Sequence, residues 1–108
     1  QKNFHCSLIF DMEKMSIKKF TDSLRQSDLP AGLSPQAQAI WFAGKGDWNH
    51  AHEIVQDLTD PLSERIHGYL HRREGDRSNA GYWYSRAGVP FPALTLEEEW
   101  TELARLAV

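Results

Sequence analysis

Gly46-Asp47 and Gly75-Asp76 stand 29 residues apart, and the chain around each is built in the same way. Glycine accepts the left-handed backbone that closes a helix, and aspartate caps the amides that open the next one. A Gly-Asp pair between two apolar-periodic segments is therefore a tight turn joining two antiparallel helices. At the same offset Ala39 falls on Gly68, Ile40 on Tyr69, Trp41 on Leu70, Ala51 on Ala80, Ile54 on Trp83 and Val55 on Tyr84. Small residues meet small and bulky residues meet bulky, so segments of about 35–59 and 61–88 read as two copies of one helix hairpin. Neither hairpin buries its apolar face alone, and the two must stack.

The helix starts are signalled individually. Ser34-Pro35 and Asp60-Pro61 each place a capping side chain before a proline at the first helical position. Thr95 followed by Glu98 is a capping box. Ile17, Phe20 and Leu24 recur at helical spacing and predict a first helix over roughly 16–27, ended by Leu29-Pro30-Ala31-Gly32. Val89-Pro90-Phe91-Pro92 is a stiff connector to a last helix that buries Leu96, Trp100, Leu103 and Ala107. The expected fold is all-α, with two antiparallel hairpin repeats flanked by one helix at each end. Residues 16–108 form one domain, and residues 1–15 are an N-terminal arm outside the core. Ala51 and Ala80, at the small-residue positions, should mark the closest helix contacts, and enlarging Ala80 should overpack them.

Composition narrows the setting. The chain has 108 residues, 41% of them hydrophobic, with four Trp, three Tyr and five Phe. That is enough apolar material for one core. A net charge of −3, with both signs interspersed, argues against nucleic acid as a partner. No apolar run approaches spanning length, which removes a membrane mode. Phe4 to Phe10 lacks a basic flank and is closed by Asp11 and Glu13, unlike a secretory signal. The lone Cys6 cannot staple the chain, so a reducing, cytoplasmic setting is expected; it lies in the N-terminal arm beside His5 and is not read as a nucleophile.

The second copy resembles a tetratricopeptide repeat. Gly68, Ala80, Tyr84, Ala87 and Pro92 follow the small-small-aromatic-Ala-Pro skeleton of those repeats, although the offset here is 29 where they use about 34. His67 and His71 stand where those repeats keep bulky packing residues. The run HGYLHRREGDRSNAGYWYSRAG, from His67 to Gly88, together with GDWNHAHEIVQ, is similar to a family of small bacterial proteins without an assigned activity. What these resemblances imply is a fold and, by analogy, binding of a protein or peptide partner. A homo-oligomer is compatible with either.

One polar pattern carries chemistry. Glu64, His67, His71 and Glu74 follow one another at steps of three, four and three and share a helix arc of about 80°. Two histidines one turn apart have metal-ligand spacing, and a carboxylate would complete the set; the same spacing makes a Glu–His hydrogen-bond ladder. Histidines between packed helices need a partner for each ring nitrogen, and His52, Gln56, Asn79 and Tyr84 are the candidates. The expected polar cluster is thus His52, Gln56, His67, His71, Glu74 and Asn79, with His67, His71, Glu64 and Glu74 as metal ligands. Buried and neutral, the two rings would have lowered pKa values; paired with carboxylates, raised ones. His50 and His52 point about 160° apart on a helix and do not chelate together.

Two weaker patterns complete the reading. Arg72, Arg73 and Arg77 cluster around Gly75, where free helix amides could hold an anion, but Asp76 competes for those amides. Gly44-Lys45-Gly46 lacks the rest of a phosphate loop. Two functions follow. One is a non-catalytic repeat module for a protein or peptide partner. The other is a small-molecule or metal site, hydrolytic in one version, on the stripe of Glu64, His67, His71 and Glu74. The sequence requires no cofactor, and a divalent metal is the one such a stripe would take.

Overall fold

The computed structural model describes residues 15–108; the arm expected over 1–15 lies almost wholly outside them. The described residues form six helices and no strand. They are α1 (Ile17–Ser23), α2 (Pro35–Gly44), α3 (Trp48–Val55), α4 (Pro61–Arg73), α5 (Arg77–Ala87) and α6 (Leu96–Ala107). The first helix is shorter than the spacing predicts, because after Ser23 the backbone leaves the helical hydrogen-bond pattern through turns at Leu24, Arg25 and Gln26.

Every signalled cap is used. Ser34, Asp47, Asp60 and Asp76 each accept a hydrogen bond from the amide three residues on. Thr95 and Glu98 exchange both bonds of the capping box. The two Gly-Asp turns are the same structure. Asp47 N–H donates to the Phe42 carbonyl and Gly46 N–H to Ala43; Asp76 N–H donates to His71 and Gly75 N–H to Arg72. These paired bonds satisfy the last carbonyls of α2 and α4 and require a left-handed residue, here Gly46 at φ 83° and Gly75 at φ 90°.

The turns fold α2 onto α3 and α4 onto α5. Ala51 and Ala80 are fully buried. A methyl on Gly68 would lie 3.2 Å from the Tyr84 ring and 3.3 Å from the Ala80 carbonyl, so small residues are what let α4 and α5 approach. Ala80→Leu should therefore overpack the hairpin and lower stability by about 1–3 kcal/mol. Thermal melting checks this, and an unchanged midpoint would contradict the register.

The core centres on Phe20, Ile40, Trp41, Ile66, Tyr69, Leu70 and Leu103. The last helix does not simply extend the stack. It lies across the first helices of both hairpins, α2 and α4. Trp100 Nε1 donates to the Ile40 carbonyl at 2.9 Å, Arg65 pairs with Glu102, and Arg72 reaches Glu99 at 2.7 Å. The face that the two first helices share is thereby covered. The junction between the hairpins, where α3 meets α4, holds the histidines.

Candidate metal centre

His67 and His71 lie on α4 one turn apart, and the helix buries both, at 4% and 7% exposure. The third imidazole comes from α3. Asp47 caps that helix and sets its phase, which turns half-buried His52 toward α4. His52 stands edge-on to both rings, with centroids 4.7 Å from His67 and 5.3 Å from His71. One nitrogen from each of the three rings lies within 4.8 Å of the others. Three nitrogens around a tetrahedral zinc sit about 3.3 Å apart, given bonds of 2.0–2.1 Å.

Two tryptophans wall the cluster. Trp48 stacks on His52 at 4.7 Å and 11°, and its Nε1 donates to the Leu70 carbonyl at 2.6 Å, which ties α3 to α4. Trp83, from α5, stacks on His67 at 3.9 Å and 14°. Neither tryptophan belongs to the polar pattern expected from the sequence. What marks both beforehand is only their spacing from the histidines: Trp48 precedes His52 by one helical turn, and Trp83 aligns with Ile54 in the repeat.

The ring nitrogens are unequally provided for. His71 Nδ1 lies 2.7 Å from Glu74 Oε2. A carboxylate only accepts, so Nδ1 carries a proton, and Nε2 is the nitrogen left for a ligand bond. His67 Nδ1 is buried and has no hydrogen-bond partner. An unsatisfied buried nitrogen is costly, and native proteins hold few of them. Burial, then the neighbouring charges of His52 and His71, push the His67 pKa down to about 4. His52 is lowered as well, first by burial and then by His71. Both shifts favour the neutral imidazole, the form that binds a metal.

Several expected members stand elsewhere. Glu64 is buried but turns to Arg86 on α5, 3.0 Å away, because its side of α4 faces that helix; it offers the histidines no oxygen. Gln56 is exposed, one turn beyond His52. Asn79 bonds only through its backbone amide, to Asp76, and its side chain has no hydrogen bond to an imidazole. The expected hydrogen bonds from His67 and His71 across to α3 and α5 are replaced by ring stacking and by the local Glu74 contact.

The arginine cluster is dispersed by stronger partners. Arg72 binds Glu99 and the Leu94 carbonyl, Arg73 binds the Ala43 carbonyl, and Arg77 lies 4.2 Å over the Phe91 ring. Asp76 caps α5. The anion site expected at Arg72, Arg73 and Arg77 is thus not assembled. His50 stacks on Phe42, exposed and apart from the cluster. Among the described residues, no helix is long and apolar enough to cross a membrane. Comparison with protein-family models, with curated proteins and with solved structures gave no match.

Proposed function

We propose that this is a metal-binding helical-repeat protein, in which the joint between the two hairpins holds one divalent ion at His52, His67 and His71. The observation that carries the reading is the convergence of three imidazoles, one nitrogen from each. His67 adds a buried Nδ1 with no hydrogen-bond partner, which a metal bond at that atom would satisfy. The donor type sets the class of ion: imidazole suits zinc, nickel and copper, while calcium and magnesium need oxygen ligands. Binding of a peptide in a groove has less support, because α6 covers the α2–α4 face such a groove would need.

Calorimetric titration of untagged, chelator-stripped protein with zinc tests the proposal. One ion per chain is expected, with binding abolished in His67→Phe, which keeps an aromatic ring against Trp83. Undiminished zinc binding by His67→Phe, or none by the wild type, would overturn it. Glu74 acts on the same site at one remove. Glu74→Gln should weaken zinc binding by about 10–100-fold, the usual effect of losing a carboxylate that orients a ligating histidine. Melting of the metal-free variant should stay close to wild type, since Glu74 is exposed.

A further inference from the structure

The donor set says more than that an ion binds. All three ligands are neutral imidazoles, so a divalent ion at this site keeps its two positive charges. Thiolate or carboxylate ligands would have cancelled them. A tetrahedral site also needs a fourth donor, and among the described residues no other His, Cys, Asp or Glu groups with these three. Glu74, the nearest carboxylate, is engaged by His71 Nδ1.

The walls point the same way. The stacked faces of Trp48 and Trp83 present carbon, not donors. The Arg86 guanidinium lies 5.1 Å over the Trp83 ring and adds positive charge on that side, partly offset by Glu64. His52, half-buried, is where solvent meets the cluster.

Resting on the metal reading above, we propose that the ion keeps an exchangeable fourth position, and that this position takes a small anion from solution. Closed structural sites fill all four positions with protein ligands, whereas sites that exchange ligands keep three. Water occupies the position when no anion is present. The retained charge selects anions over neutral molecules, and the tryptophan faces stacked on the rings offer no competing donor.

Cobalt(II) replaces zinc in the test because its visible absorption reports the ligand set. The cobalt-loaded full chain is titrated with azide. A saturable change in the visible band, fitted by one azide per cobalt, is expected, while the paramagnetically shifted ring protons of all three histidines persist. Bound cobalt whose spectrum ignores azide would overturn the exchangeable position and leave the metal site standing. Loss of one histidine's shifted signals would also overturn it, since azide would then be displacing a protein ligand. Failure of cobalt to bind at all would remove the metal site and this inference together. His67→Phe treated with cobalt and azide should show only the spectrum of the free ion.

Discussion

Arg72→Ala should destabilise the protein by about 3–5 kcal/mol, the largest loss expected of any side chain outside the core. Arg72 donates to Glu99 at 2.7 Å and to the Leu94 carbonyl at 2.5 Å. Glu99 is fully buried, and its second oxygen accepts from the Tyr84 hydroxyl at 2.6 Å. Burial, and then donation to Glu99, raise the Tyr84 pKa, so the hydroxyl keeps its proton. Removing Arg72 leaves a carboxylate in the interior with one neutral donor. The cost comes from that stranded charge and not from the net worth of the pair. A triple variant, Arg72→Met with Glu99→Leu and Tyr84→Phe, strands neither the carboxylate nor the hydroxyl and should therefore recover most of the loss. Urea unfolding measures both. A loss below about 1 kcal/mol for Arg72→Ala, the size expected of an exposed pair, would contradict this role.

The second large effect is the response of metal-free protein to acid. His67 has a folded pKa of about 4 against an ordinary value of 6.5. The unfolded chain therefore takes up a proton at a pH where the folded chain refuses it. Stability is complete above about pH 6.5, falls as pH drops from there toward 4, and stops changing on this account below that. A shift of this size corresponds to roughly 3 kcal/mol. His52, also lowered, adds in the same direction. In His67→Phe the acid loss should shrink to what His52 contributes. Zinc should oppose the loss, because it binds the neutral rings of the folded state: about 4 kcal/mol is gained when free zinc exceeds the dissociation constant a thousandfold. Unfolding curves from pH 7 to pH 4, with and without zinc, check the sign. Stability that rises as pH falls from 6.5 would contradict it.

Local signals made the helices legible. Caps at Ser34, Asp47, Asp60, Asp76 and Thr95 depend on residues adjacent in sequence, and the structure uses all five. Helical spacing likewise brought His67 and His71 onto one arc. The remaining members of the site depend on how helices face one another, which spacing does not fix. Glu64 lies on the same arc as the histidines, yet it is close enough to α5 for Arg86 to take it. His52 was legible as a neighbour but not as the third ring. Its place follows from Asp47 setting the phase of α3 and from Trp48 bonding to the Leu70 carbonyl. The course of α6 across α2 and α4 was not legible, because the hairpin pattern fits a helix that continues the stack equally well.

Side-chain nitrogen NMR of the imidazoles, recorded while zinc is added to metal-free protein, tests the three-histidine site most directly. Each ring reports separately, and His50 serves as an internal control, exposed against Phe42 and apart from the cluster. The expected result is that His52, His67 and His71 change together and saturate at one zinc per chain, with His71 Nδ1 still protonated toward Glu74 and His50 unmoved. Rings of His52, His67 and His71 that stay in place while zinc saturates elsewhere would contradict the site.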